Sequence, residues 1–129
     1  MRILLDTSVS IDALRDRRGR REWLRGLLEE GHELACCAIN VTEVYSRMRP
    51  HEAEATAELI DGLDYAGISR EAARDAGELI LELQRKGKPL SLPDAIMAAV
   101  ALRGDLTLAT DNARHFSMPR LKLLPLPGA

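Results

Sequence analysis

Asp6, Glu43, Asp94 and Asp111 are the side chains whose placement suggests chemistry in this 129-residue chain. Asp6 follows the apolar run Ile3-Leu4-Leu5, and Asp111 follows Leu108-Ala109-Thr110. Glu43 sits in Ile39-Asn40-Val41-Thr42-Glu43, and Asp94 in Ser91-Leu92-Pro93-Asp94. Each has a plain alternative. Asp6 reads equally as the N-cap of a following helix. Asn40 with Glu43, and Ser91 with Asp94, each have capping-box spacing. Asp111-Asn112 reads as a turn. Together they mean more. Carboxylates gathered in one place repel and raise one another's pKa unless a cation neutralises them. Oxygen ligands without thiolate or imidazole suit Mg²⁺ or Mn²⁺. Thr7, Ser8, Thr110 and Asn112 would then brace the ligands or bind substrate.

The elements that must position these acids can be read from the apolar pattern. Residues 3–5, 33–37, 65–68 and 106–109 read as short buried strands, and 121–124 as a short edge strand. Residues 9–16, 21–30, 39–49, 52–62, 70–86 and 91–103 read as helices. Strands alternating with helices predict a three-layer α/β/α sandwich, its four- to five-stranded sheet mainly parallel. Ligands in such sheets bind beyond the carboxyl ends of the strands. Asp6, Glu43 and Asp111 are expected just after the first, second and fourth strands, and Asp94 opens the helix before the fourth. All four can therefore meet at one sheet edge.

Composition narrows the classes. The length suits one domain, residues 1–129, with a core that needs no disulfide or structural metal. No apolar run approaches the roughly 20 residues of a membrane span. Asp6 interrupts the first apolar run after three residues, so no secretory signal is expected. Adjacent Cys36 and Cys37 point to opposite faces of a strand, which predicts reduced thiols in a cytoplasmic protein. The net charge is −2, against a generally basic surface, yet fifteen of the eighteen basic residues are Arg. Six of these lie between Arg15 and Arg25, where they either grip phosphate or form a solvated helix face. Four aromatic residues, Trp23, Tyr45, Tyr65 and Phe116, are too few for a base-stacking platform. His32, His51 and His115 lack metal-ligand spacing and read as surface or packing residues. There is no glycine-rich phosphate loop and no nucleophile elbow.

The ordered set Ile3-Leu4-Leu5-Asp6-Thr7-Ser8, Asn40-Val41-Thr42-Glu43-Val44, Leu92-Pro93-Asp94-Ala95-Ile96 and Leu108-Ala109-Thr110-Asp111-Asn112-Ala113-Arg114-His115-Phe116 resembles the PIN domain. The resemblance is to the VapC type, the ribonuclease toxin of toxin–antitoxin pairs, and it covers nearly the whole chain. It implies a Mg²⁺- or Mn²⁺-dependent endoribonuclease with Asp6, Glu43 and Asp94 at the three best-defined acid positions. The family's fourth acid position falls on Asn112, with Asp111 one residue earlier, so either residue is a candidate for it. The resemblance also implies an RNA substrate and a cognate antitoxin. A homodimer is expected, as the commonest assembly of a small domain, and no membrane association. Two competing readings are a PIN-like module that binds RNA or protein without cutting, and an aspartyl-phosphate domain. Intact Asp6, Glu43 and Asp94 weigh against the first. Ser8 stands where the second needs another Asp.

Overall fold

The computed structural model describes residues 1–127; Gly128 and Ala129, the last two positions of the expected domain, lie outside the described residues. In chain order the elements are β1 (Arg2–Leu5), α1 (Thr7–Leu14), α2 (Arg20–Glu29), β2 (Glu33–Cys36), α3 (Ala38–Ser46), α4 (Ala53–Gly62), β3 (Asp64–Tyr65), α5 (Arg70–Arg85), α6 (Leu92–Gly104), β4 (Thr107–Ala109) and β5 (Leu123–Leu124). Single 3₁₀ turns cover Pro50–Glu52 and Ala113–His115.

The sheet order is β3-β2-β1-β4-β5 and every pairing is parallel. The first strand is therefore central, with neighbours on both sides. This explains why residues 3–5 are apolar without alternation: a strand covered on both faces has no solvent side. Leu4 packs toward α5 and α6, while Ile3 and Leu5 pack toward α1 and α2. A third cluster, Ile11, Val44 and Ile60, ties α3 and α4 to α1. The expected three-layer sandwich is thus observed, with a sheet that is wholly rather than mainly parallel.

Several boundaries move for identifiable reasons. α1 begins at Thr7 rather than residue 9, because the Asp6 carboxylate caps it directly, accepting from the Thr7 backbone N–H at 2.8 Å. α3 ends at Ser46 rather than residue 49. Pro50 disfavours helical backbone before it, and Arg49 is extended at φ −87°, ψ 152°. β3 is two residues rather than four, and β5 two rather than four. α6 is buried almost all round: Ala95, Ala98, Ala99 and Ala101 are each at most 1% exposed, and their small side chains let the helix lie close to the sheet and to α5.

Candidate metal centre

From β1 the chain moves outward to β2 and β3, then returns through α5 and α6 to place β4 on the other side of β1. The reversal between β1 and β4 is a topological switch point, where helices leave to opposite faces and open a crevice. Asp6 ends β1 at this crevice, and its backbone N–H donates to Ala109 at the end of β4, 2.9 Å away. Thr110 is the next residue on β4's side. Its hydroxyl donates to Asp6 Oδ2 at 2.6 Å and accepts from the Asn112 backbone N–H at 3.0 Å. Both Asp6 oxygens are therefore oriented, one by Thr7 and one by Thr110. Capping the helix and serving a site are compatible here, because each carboxylate oxygen keeps a further lone pair.

Glu43 arrives by a different local route from the one its spacing suggests. α3 starts at Ala38, so Glu43 lies in the second turn and makes no capping box with Asn40. Asn40 itself is the residue that reaches back: its Oδ1 accepts from the Cys37 backbone N–H at 2.9 Å. The amide nitrogen then faces Thr7 Oγ1 at 3.3 Å and the Met97 sulfur at 3.2 Å. The Thr7 hydroxyl donates onward to Glu43 Oε1 at 2.6 Å. The donors run one way, from Cys37 through Asn40 and Thr7 to Glu43, because an ionised carboxylate only accepts. Asn40 is fully buried, so this relay fixes Glu43 from inside the protein.

Asp94 opens α6. The Ser91 hydroxyl accepts from its backbone N–H at 3.3 Å, as the capping spacing predicts, and leaves the Asp94 carboxylate free of that role. Asp94 and Glu43 act on Asp6 through space. Burial pushes the Asp6 carboxyl above its ordinary value of 3.8, the bonds from Thr110 and Thr7 oppose that, and the charges of Asp94 and Glu43 push it further up. A buried acid held beside two others is costly to ionise, and a divalent cation removes that cost. The donor set is all oxygen: three carboxylates with hydroxyls behind them. Among the described residues no three Asp, Glu, His or Cys groups already stand close enough to clasp an ion between them. Mg²⁺ keeps several waters and takes one or two carboxylates directly.

The remaining residues separate clearly. Asp111 does not stand free as a turn residue; its Oδ1 accepts from Arg20 Nη2 at 2.8 Å, with Arg18 Nη1 at 3.4 Å. The Asn112 side chain is exposed. The Ser8 hydroxyl is buried without a hydrogen-bond partner among the described residues. His115, read from sequence as surface or packing, is half exposed but places Nδ1 3.7 Å from Asp94 Oδ2. Only its position five residues after Thr110 could have signalled this. The arginines between Arg15 and Arg25 divide between internal partners and the surface. Arg15 pairs with Glu52 at 3.1 Å, Arg21 holds the Ala13 and Leu14 carbonyls, Arg25 pairs with Glu22, and Arg18 and Arg20 turn to Asp111. Arg20 is fully buried and Arg15 largely so, whereas Arg18, Arg21 and Arg25 remain about half exposed. The expected thiols are free and buried, and burial raises Cys36 to about 11.

The state of Asp6 gives a pH-dependent prediction. A carboxyl whose pKa is higher folded than unfolded binds more protons in the folded state, so its contribution to stability declines as pH rises past the unfolded value. In EDTA, Asp6→Asn should match the parent near pH 3. It should gain on the parent as pH rises above 3.8, reaching a plateau once the folded-state carboxyl is ionised. Urea unfolding of both proteins at pH 3, 5 and 7 measures this; a stability difference independent of pH would remove Asp6 as a strained acid.

Residues 3–121 match the family described as PIN domain. The chain is 32% identical to "Ribonuclease VapC10" of Mycobacterium tuberculosis over 116 residues, 90% of this chain and 86% of that protein. It is 27% identical to "Ribonuclease VapC19" of the same organism over 115 residues, 89% of this chain and 92% of that one. Among solved structures, the Rickettsia felis VapBC2 complex bound to a promoter DNA fragment superposes with a TM-score of 0.80 at 23% identity, covering 96% of this chain and 98% of that one. A toxin–antitoxin complex from Klebsiella pneumoniae superposes at 0.75 with 27% identity, covering 95% and 96%.

Proposed function

The chain belongs to the PIN-domain family, among its VapC ribonucleases, and from that membership we propose that it cuts RNA with a divalent cation held by Asp6, Glu43 and Asp94. It acts in the cytoplasm as the toxin of a type II toxin–antitoxin pair. The observation that carries the metal reading is Asp6 itself: a buried carboxylate at the switch point, oriented through both oxygens and pushed up in pKa by burial, Asp94 and Glu43. Bound Mg²⁺ or Mn²⁺ supplies charge to neutralise a phosphate oxygen and lowers the pKa of a coordinated water.

The protein's own groups do the positioning. Thr7 and Thr110 hold Asp6 so that it cannot turn away when the site fills. Thr7 also fixes Glu43 Oε1, leaving Oε2 as ligand or as the acceptor that orients the attacking water. His115 stands beside Asp94, its Nδ1 3.7 Å from Oδ2. Hydrolysis of a labelled RNA by the purified protein, with Mg²⁺ or Mn²⁺ and then with excess EDTA, tests this directly. Cleavage should disappear on chelation and return when metal is added back; cleavage indifferent to EDTA would overturn the metal reading.

The partner follows from the same field. Three carboxylates form an anionic pocket that suits a guanidinium or ammonium group. A groove of about 560 Å³ runs between α1, α2 and α4, lined by Ala13, Leu14, Leu24, Leu28 and Leu59 together with Arg21, Arg25 and Glu58. An antitoxin's C-terminal segment would lay apolar residues in this groove and set an Arg or Lys beside Asp6, Glu43 and Asp94. A tail peptide carrying that basic residue should inhibit cleavage at least tenfold better than the same peptide with Ala there, since a buried charged pair is worth about 2 kcal/mol or more. Equal inhibition by both peptides would rule out charge insertion. The toxin is further proposed to pair with itself as a two-fold dimer, which light scattering of the isolated chain would detect.

A further inference from the structure

We propose that Arg20 is a positioning residue for the reaction, pinning the turn that aims the Thr110 hydroxyl at Asp6; this rests on the metal-dependent reading above. Residues 110–112 close on themselves. Thr110 Oγ1 accepts from the Asn112 backbone N–H at 3.0 Å, while its hydroxyl donates to Asp6 Oδ2 at 2.6 Å. Asp111 is the middle residue of that turn, and its Oδ1 accepts from Arg20 Nη2 at 2.8 Å. Arg18 also approaches Asp111, at 3.4 Å, but is half exposed, and exposed pairs hold little. The Arg20 side chain has no exposure to solvent. The links therefore run from Arg20 to Asp111 by an ion pair, to Thr110 by the chain itself, and to Asp6 by a hydrogen bond.

Stability alone explains Arg20 poorly. A guanidinium cannot shed its proton to relieve burial, as a lysine can. Arg20 Nε and Nη1 are buried without hydrogen-bond partners among the described residues. Stranded donors are costly, and a buried ion pair is often no more stabilising than apolar side chains of the same volume. What Arg20 supplies is a span. It is the first residue of α2, and its bond to Asp111 joins that helix to the turn after β4, 91 residues later. The connection that delivers it is unfavourable in itself, with Asp16 at φ 53°, Arg18 at φ 54° and Gly19 at φ 67°. Non-glycine residues in the left-handed region persist only where the surroundings hold them. Arg21 does so by donating to the Ala13 and Leu14 carbonyls at 3.1 and 2.9 Å. The Arg20 backbone N–H donates to the Arg17 carbonyl at 3.0 Å. The base of the Arg20 side chain is thus fixed as well as its tip.

The test asks whether Arg20 acts through Thr110. The full-length protein is stripped with EDTA and titrated with Mn²⁺, and free Mn²⁺ is followed by electron paramagnetic resonance. Turnover of a labelled RNA is measured on the same preparations. Thr110→Val, which loses the hydroxyl and keeps the shape, should weaken Mn²⁺ binding about tenfold, the scale for a residue that orients a ligand. Arg20→Met should weaken it about as much, and should lower kcat with KM little changed, because no RNA contact is lost. The double variant should bind Mn²⁺ within about twofold of Thr110→Val alone, since no hydroxyl is left for Arg20 to aim. Losses that multiply in the double variant would overturn the proposal, as would Arg20→Met with Kd and kcat within about twofold of the parent; either leaves the metal-dependent nuclease standing. Should Arg20→Met fail to fold, Arg20→Met/Asp111→Leu replaces both halves of the pair by apolar side chains. Measured with and without Thr110→Val, it decides the question by the same two outcomes. A parent that neither binds Mn²⁺ nor cleaves RNA would overturn the metal-dependent reading and the role of Arg20 with it.

Discussion

Protein carrying Asp6→Asn or Asp94→Asn should retain its fold and lose RNA cleavage by about three orders of magnitude. The size follows from the charge that is lost. A metal-held phosphate and an activated water together lower the barrier by several kcal/mol, and each 1.36 kcal/mol is about tenfold in rate. Asn preserves shape and one acceptor oxygen but removes the negative charge that draws the cation. At Asp6 the fold is expected to tighten in the absence of metal, because the acid there is held above its ordinary pKa by burial and by its two neighbours. Single-turnover cleavage of a labelled RNA, with circular dichroism of each variant, separates the two effects. Cleavage by Asp6→Asn within a few fold of the parent would end the assignment of the site.

Asn40→Leu should produce the largest combined loss away from the acids themselves. It leaves the Cys37 backbone N–H buried without its acceptor and removes the amide donor that Thr7 receives while holding Glu43. An unsatisfied buried donor costs about 1–3 kcal/mol. Residues that orient ligands from behind are worth about 10- to 100-fold in activity or metal affinity. The urea midpoint should fall with its slope unchanged, and cleavage should fall by that factor. Asn40→Asp distinguishes the two roles. It keeps an acceptor for Cys37, yet turns the group facing Thr7 from donor to acceptor and adds a charge near Glu43. It should spare stability more than activity. Asn40→Leu with normal cleavage would mean that Glu43 needs no relay.

Much of this was visible in the residues alone, because strand-and-helix alternation and the apolar run at residues 3–5 leave few arrangements. The order of four motifs along the chain carried the site: a parallel sheet brings the carboxyl ends of β1 and β2, and with them Asp6 and Glu43, to one edge, and Asp94 acts on Asp6 from the first turn of α6. What escaped was the pairing of charges. Six arginines between Arg15 and Arg25 look alike as a sequence, and nothing local distinguishes Arg20, with no exposure, from half-exposed Arg18 or Arg21. Their partners lie far along the chain: Asp111 is 91 residues from Arg20, and Glu52 is 37 from Arg15. Asn40 was misassigned for a different reason. A capping box can be entered from either end, and Asn at the third helical position reaches back as readily as Asn at the cap reaches forward.

The central place of β1 has a consequence for how this protein is made. Asp6 is synthesised well before the residue whose hydroxyl orients it, Thr110, 104 residues later. β4, which closes the other side of β1, is synthesised after α6. Contacts of such sequence separation form late in folding, and at about 5–20 residues per second the interval lasts several seconds. A nascent or prematurely terminated chain that lacks residues 107–110 has its three acids but neither the strand nor the threonine that assembles them. Until residues 107–110 are made, Asp6 therefore lacks both the strand and the hydroxyl that orient it.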